Sequence, residues 1–141
     1  MAFSQNSLRI PASIEHMRAA VLFVSEAAEE LGMHAEGIHH CQIAVEEVVT
    51  NIIQHGYTTP IDSDNVIDIE VRHTHADFVI IIFDDAPPYD PTKRRDPNPA
   101  ALLEDRKSGG WGVYFVKQYM DSVTYQRVNN RNRLMLTKRL R

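Results

Sequence analysis

A glutamate and an asparagine stand one helical turn apart in AVEEVVTNIIQHG, residues 44–56. Glu47, Asn51 and His55 share one stripe of the helix that the surrounding apolar residues predict. A carboxylate there could act as a general base, and an amide oxygen could hold a hard cation such as Mg²⁺. The alternative is a solvated flank beside a buried helix face, and the pair alone does not decide between the two. For His55, packing or charge complementarity at the helix end is the better interpretation.

Two later stretches place chemistry-bearing residues at the ends of regular elements. The run FVIIIFDDAPPYDP ends a buried strand at Asp84, whose carboxylate could accept a hydrogen bond from a donor such as an adenine amino group. In SGGWGVYFVKQYM, Gly109, Gly110 and Gly112 precede a helix, where bare N–H groups and the helix dipole favour phosphate. A turn aspartate and a glycine hinge would explain the two motifs without any ligand.

Hydropathy patterning predicts the elements that must position these residues. A helix is predicted over 14–31, with Ser13 as a possible N-cap and Gly32 as its stop, and a second helix over 36–55, closed by Gly56. Strands are predicted from SLRIP, NVIDIEVRH, DFVIIIFDD, SVTYQRV and RLMLTKRL, and a third helix from WGVYFVKQYM. The resulting order favours an α+β two-layer sandwich, a mostly antiparallel mixed sheet with helices on one face.

The second helix should bury one broad arc against that sheet. Five residues share the arc at about 100° per residue: Cys41, Val45, Val48, Val49 and Ile52. Glu47 and Asn51 then lie along its edge, where a polar side chain can face a cleft and still be held by a packed helix.

Composition limits the classes of function. The chain has 141 residues, 43% of them hydrophobic and 24% charged, which suits one globular domain over 1–141. A net charge of −4 gives no reason to expect nucleic acid as a partner. Cys41 is the single cysteine, which excludes an internal disulfide. No leader opens the chain, and FVIIIF is too short to span a bilayer, so we expect a soluble cytoplasmic protein without a membrane partner.

Periodicity fails between Asp84 and Ser108, a stretch that contains PP, DP, PNP and the cluster KRR. An irregular segment of that length in a compact domain is typical of a lid or a binding loop. Tyr89 and Tyr114 are candidates for the walls of a pocket beside it. A zinc site at His39, His40 and Cys41 is not expected, because adjacent helical residues point about 100° apart.

Taken in this order, the three motifs resemble the N, G1 and G2 boxes of the GHKL ATPase superfamily. Among its members, the small bacterial anti-sigma-factor serine/threonine kinases are the most similar, with a first box much like AVEEVVTNIIQHGY and a third like GGWGVYFVKQYMDSVTY. The resemblance runs from RIPAS to LTKRL and covers nearly the whole chain. It implies the GHKL, or Bergerat, ATP-binding fold, with residues 85–108 as the ATP lid.

The resemblance also implies a role for each matching residue. Glu47 aligns with the general base and Asn51 with the Mg²⁺ ligand, while Asp84 aligns with the aspartate that recognises the adenine amino group. Ser108, Gly109, Gly110 and Gly112 belong to the phosphate-binding turn, and Lys107 could reach the terminal phosphates or be an ordinary exposed lid lysine.

One position departs from the family pattern. Where the G1 box usually has a glycine, this chain has Ala86, followed by Pro87 and Pro88. Alanine adds one methyl group, so nucleotide binding can survive if the local φ is negative. The departure bears on ATP affinity and lid motion more than on the existence of a site.

The resemblance implies Mg²⁺ and ATP as cofactors and a homodimeric kinase that phosphorylates an anti-sigma-factor antagonist of the STAS type. It also implies sequestration of a sigma factor or another regulatory protein. Two alternatives remain at this point: a non-catalytic ATP-binding partner-switching module, and a detached histidine-kinase catalytic domain. Retention of Glu47 disfavours the former, and the lack of a phosphoacceptor hairpin disfavours the latter.

Overall fold

The described elements follow the order that the hydropathy pattern predicts. A computed structural model of the chain describes residues 6–57, 65–93 and 111–141, with the backbone alone at 111 and 112. The first half contains β1 (Ser7–Pro11), α1 (Met17–Glu30), α2 (Ala35–Asn51), β2 (Val66–His73) and β3 (Asp77–Asp84). The second half contains α3 (Trp111–Tyr119), β4 (Ser122–Val128) and β5 (Arg131–Arg139).

The ends of the first two helices differ in detail from expectation. A 3₁₀ turn at Ile14–His16 precedes α1, and the Ser13 hydroxyl lies 2.7 Å from His16 Nδ1 instead of capping a backbone N–H. Helix α2 continues into a π-helical turn at Ile52–Gly56, so Gly56 lies inside the last turn and not after it. Of the described glycines, Gly32 is the one with positive φ, +79°, and it ends α1 as predicted.

The strands form one sheet in the order β1-β2-β3-β5-β4, and every pairing among the described residues is antiparallel. The predicted two-layer α+β fold is therefore confirmed. Strand β5 inserts between β3 and β4 and pairs Asn132 with Asp84. This register brings a late polar residue next to the candidate base-recognising carboxylate, at the same end of the sheet.

The core lies between the helices and one face of the sheet. Helix α2 buries Cys41, Val45, Val48 and Val49 as predicted, while Ile52 is partly buried. The facing sheet side chains are aliphatic or aromatic: Ile67, Ile69, Phe78, Ile80, Ile82, Leu134 and Leu136. Burying each such side chain contributes roughly 1.5–3 kcal/mol, which fixes the position of α2 and so of the polar stripe along its edge.

The C-terminal end of α3 is fastened to α2 and β5 by one lysine. Lys138 Nζ donates to the carbonyl oxygen of Tyr119 and to His40 Nδ1, at 2.5 and 2.9 Å. The His40 ring stacks on Tyr119 with centroids 4.7 Å apart. A cation beside the last carbonyls of a helix satisfies groups that would otherwise lack partners. These contacts hold α3 against the helix that carries Glu47 and Asn51.

The other face of the sheet carries charged pairs. Asp68 on β2 accepts hydrogen bonds from Arg9 Nε on β1 and from Arg131 Nη2 on β5, both at 2.7 Å. Arg131 Nε also pairs with Asp85 at 2.7 Å, and its guanidinium lies over the ring of Phe83. The network therefore ties three strands to the first residue after β3.

Candidate functional site

A cleft opens between α2, α3 and the ends of β3 and β5. Its lining includes Glu47, Asn51, Ile52, Asp84, Tyr89, Thr92, Val113, Tyr125 and Asn132. Three predicted site residues from two separate motifs therefore line one cleft: Glu47, Asn51 and Asp84.

Glu47 and Asn51 lie on the edge of the buried face of α2. Both side chains are partly exposed, while Val48 and Val49 between them are buried. Partial burial raises the pKa of the Glu47 carboxyl, and the neighbouring Glu46 carboxylate raises it further. A raised pKa makes Glu47 a stronger proton acceptor than an exposed glutamate when it is ionised.

Asp84 lies at the floor of the cleft, 5% exposed, at the last position of β3. Its Oδ1 accepts hydrogen bonds from the Ala86 N–H at 3.0 Å and from Asn132 Nδ2 at 2.9 Å. Burial raises the pKa of Asp84, and these two donors oppose the rise. Among the described residues Oδ2 accepts no hydrogen bond, which leaves it available to a donor in the cleft.

Tyr57 and Asn132 hold the end of β3, and neither was predicted as a site residue from the sequence. The Tyr57 hydroxyl donates to the Val66 carbonyl at 2.7 Å and accepts from the Asp85 N–H at 2.8 Å. Asn132 reaches Asp84 only because β5 pairs with β3. No local pattern in NNRNRL signals that contact, because the predicted strand RLMLTKRL begins at Arg133 and leaves Asn132 outside it, whereas β5 begins at Arg131.

Ala86, which replaces the usual glycine, is buried and donates its N–H to Asp84. A Cβ atom added at Gly56 would lie 3.3 Å from the Ala86 methyl group, which is closer than ordinary van der Waals contact. The absence of a side chain at Gly56 therefore makes room for the alanine. Ala86 is not among the described residues with positive φ, so its backbone conformation suits alanine.

Several predicted site residues lie outside the described residues, namely Lys107, Ser108, Gly109 and Gly110, as does most of the predicted lid. Gly112 is in the first turn of α3, whose following residue Val113 lines the cleft. The described start of the lid is irregular apart from a 3₁₀ turn at Pro91–Lys93. Tyr89 lines the cleft as predicted, whereas Tyr114 is not part of its lining.

The side-chain oxygens that line the cleft are of the chemical kind that binds Mg²⁺. Across 6–57, 65–93 and 111–141, no three His, Cys, Asp or Glu side chains converge on one point. Mg²⁺ commonly takes one or two protein oxygens and completes its shell with water and substrate phosphates. The side-chain amide of Asn51 offers one such oxygen. In the same described ranges, no helix is both long and apolar enough to cross a membrane.

Curated proteins with sequences similar to this chain include several protein kinases. The serine/threonine-protein kinase BtrW of Bordetella bronchiseptica is 30% identical over 95 residues, 67% of this chain and 66% of that protein. The serine-protein kinase RsbW of Oceanobacillus iheyensis is 26% identical over 133 residues, 92% of this chain and 81% of that protein. RsbW of Staphylococcus aureus is 30% identical, over 83% of this chain and 76% of that protein.

Solved structures share the fold. The RsbU and RsbW domains of Rv1364c from Mycobacterium tuberculosis match with a TM-score of 0.61 and 19% identity, over 96% of this chain and 33% of that one. The histidine kinase domain of the blue-light-activated kinase EL346 from Erythrobacter litoralis matches with a TM-score of 0.52 and 14% identity, over 99% and 66%. Residues 10–138 match the family model described as histidine kinase-like ATPase domain. The chain therefore belongs to the histidine kinase-like ATPase domain family, within the GHKL superfamily that its three motifs resemble.

Proposed function

We propose that this chain is a Mg·ATP-dependent serine/threonine protein kinase. The observation that carries the proposal is the convergence of Glu47, Asn51 and Asp84 on one cleft, although they come from two elements more than thirty residues apart in sequence. The names of the relatives, serine-protein kinases, support the same reaction. Its substrate is a small anti-sigma-factor antagonist of the STAS type. It also sequesters a sigma factor or another regulatory protein, in the cytoplasm and as a homodimer.

Each residue has one task in the proposed reaction. Asp84 Oδ2 accepts a hydrogen bond from the adenine amino group, and Asn51 supplies an oxygen ligand to Mg²⁺. Bound Mg²⁺ neutralises charge that develops on the phosphate oxygens. The N-terminal turn of α3, with Gly112, faces the phosphates with its positive end. Lys107, Ser108, Gly109 and Gly110 complete the phosphate contacts.

Glu47 acts on the acceptor hydroxyl. Its carboxylate takes the proton as the serine or threonine oxygen bonds to the γ-phosphorus and the bond to the β–γ bridging oxygen breaks, releasing ADP. The partial burial that raises its pKa also increases its strength as a base. Position and charge neutralisation supply most of the catalysis in such a transfer, so the packed helix matters as much as the carboxylate.

Nucleotide binding is the first test, by calorimetry with and without Mg²⁺. We expect Asp84→Asn to weaken ATP binding at least about tenfold, because the substitution replaces an ionised hydrogen-bond acceptor with a neutral amide. Asn51→Ala should remove the Mg²⁺ dependence of binding. Glu47→Gln should bind ATP like the native chain. Failure of the native chain to bind ATP in the presence of Mg²⁺ would refute the proposal.

Transfer of labelled phosphate to a purified antagonist is the second test. Glu47→Gln should lower transfer about 100-fold or more, in line with the usual contribution of a general base. Glu30→Gln, the same change on an exposed residue at the end of α1, is the matched control. Acid-stable label identifies phosphoserine or phosphothreonine, whereas acid-labile label would indicate histidine-kinase chemistry. ATP binding without any transfer would support the non-catalytic module, and sedimentation of the native chain tests the homodimer.

A further inference from the structure

Asn132 is the centre of a buried polar cluster where the loop leaves β3. Its Nδ2 donates to Asp84 Oδ1 at 2.9 Å and lies 3.2 and 3.1 Å from the carbonyl oxygens of Ala86 and Pro87. Its Oδ1 accepts from the Tyr125 hydroxyl and from Arg127 Nη1, at 2.5 and 3.1 Å. The side chain is 6% exposed, so almost all of its hydrogen-bonding capacity is used inside the protein.

The orientation of this amide follows from the chemistry of its partners. A guanidinium can only donate, so the atom facing Arg127 must be the amide oxygen. Backbone carbonyls can only accept, so the atom facing Ala86 and Pro87 must be the amide nitrogen. The donor is therefore also directed at Asp84. Arg127 Nη1 donates in addition to the Ala86 carbonyl at 2.8 Å, which strengthens the same corner.

The cluster donates hydrogen bonds to one oxygen of the Asp84 carboxylate, Oδ1, and none to the other, Oδ2. Oδ1 is taken up by the Asn132 amide and the Ala86 N–H, and both donors favour the ionised carboxylate. Tyr89, which lines the cleft, donates its N–H to Asn132 Oδ1 at 3.3 Å. The side chain that orients the carboxylate thus also fixes the first residues of the loop above it.

We propose that Asn132 is the positioning residue for base selectivity, holding Asp84 so that Oδ2 accepts a hydrogen bond from an exocyclic amino group of a purine. This inference rests on the proposed nucleotide-binding function and names the residue on which its selectivity depends. A base with a carbonyl oxygen in place of the amino group would put two acceptors face to face and bind more weakly. The same amide couples that recognition to the start of the loop.

Asn132→Asp separates this role from simple packing. Aspartate keeps the shape and still accepts hydrogen bonds from Tyr125 and Arg127, but it replaces the donor with a second carboxylate oxygen beside Asp84. Two carboxylates in contact raise the pKa of the pair, so Asp84 would be protonated at a higher pH. Asn129→Asp, three residues earlier and exposed, adds the same charge away from the cluster and is the matched control.

The experiment measures calorimetric affinities for ATP and for inosine triphosphate, which carries a carbonyl at the position of the amino group, over a range of pH. For Asn132→Asp we expect the preference for ATP to fall about tenfold or more, the usual effect of losing a hydrogen bond to a charged group. The decline of ATP affinity on acidification should move to higher pH. Asn129→Asp should keep both the preference and the pH profile of the native chain.

The outcomes distinguish this inference from the proposed function. If native protein binds ATP but Asn132→Asp keeps the ATP preference and the pH profile, Asn132 is structural and the inference is wrong, even if both affinities fall together. If native protein binds neither nucleotide, the proposed function fails and the inference fails with it. Thermal unfolding checks that Asn132→Asp is folded. If that variant does not fold, Asn132→Ala replaces it in the experiment, because alanine removes the donor without adding charge.

Discussion

At the scale of single residues, burial and neighbouring charge tune the candidate base. Glu47 is half-buried beside aliphatic residues of α2. Glu46, the preceding residue, is exposed on the solvent side of the same turn. Burial is the larger cause of its raised pKa and Glu46 the smaller. A base with a raised pKa is protonated, and therefore inactive, over a wider acidic range, so phosphoryl transfer should increase as pH rises through that pKa.

Glu46→Gln should move the acid limb of the transfer rate to lower pH. Removing one negative charge makes ionisation of Glu47 easier, so its pKa falls toward the ordinary value. The measurement is the pH profile of label transfer under single-turnover conditions, on native protein and variant. Glu30→Gln, the same change on the exposed end of α1, should leave the profile in place. If the acid limb does not move in Glu46→Gln, the limb does not report the ionisation of Glu47.

At the scale of elements, the π-helical end of α2 and the loop after β3 fit together through their smallest residues. Gly56 lies in the last turn of the helix, and the methyl group of Ala86 occupies the space beside it. Single π-helical turns in α-helices are frequent at functional sites. Ala86, which stands where the G1 box usually has glycine, is therefore accommodated by a glycine thirty residues earlier in the sequence.

A double-mutant cycle tests this pairing. Gly56→Ala should crowd the Ala86 methyl group, and Ala86→Gly should relieve that crowding. The double variant should therefore lose less free energy of unfolding than the two single variants lose in sum. We expect a coupling free energy of about 0.5–1 kcal/mol, a usual value for residues in contact. Denaturant unfolding measures it, and helix propensity cancels in the cycle. Strict additivity of the two changes would contradict the packing described for this corner.

At the scale of the whole molecule, a charge network on the face of the sheet away from the helices joins distant parts of the chain. Asp68 connects Arg9 near the N-terminus with Arg131 near the C-terminus, and Arg131 continues to Asp85 beside the cleft. The hydrogen bond from Arg9 is the largest cause of the lowered pKa of Asp68. Because the folded pKa is below the unfolded one, the network stabilises the fold above the unfolded pKa, about 3.9, and this contribution is lost as pH falls through the folded pKa.

Asp68→Asn should lower the free energy of unfolding at neutral pH by about 1 kcal/mol, since solvent screens the exposed Arg9 arm of the network. The difference from native protein should shrink as the solution is acidified through the folded pKa, where native Asp68 is also neutral. Urea unfolding at a series of pH values measures both effects. Glu70→Gln, whose partner Arg72 is 63% exposed on the same face, should change stability less. An equal loss in both variants would show that the network adds nothing beyond an ordinary surface pair.

The sequence by itself determined the elements, the fold class and the three motif residues Glu47, Asn51 and Asp84. Their signals are local: a helical period of apolar residues, a buried strand that ends in aspartate, and a spacing of one turn between carboxylate and amide. The predictions misplaced the helix ends at Ser13 and Gly56, the start of β5 and the position of Tyr114, because caps, π-turns, strand ends and side-chain directions depend on contacts that hydropathy does not encode.

The tertiary structure decided which residues support the motifs. Asn132 contacts Asp84 across 48 positions of sequence because β5 inserts between β3 and β4, and Gly56 makes room for Ala86 because a helix end meets a loop. Neither contact has a periodicity that a single sequence can reveal. Strand order and register are set by the packing of the whole sheet, so the partners that orient a site residue become visible only after the chain has folded.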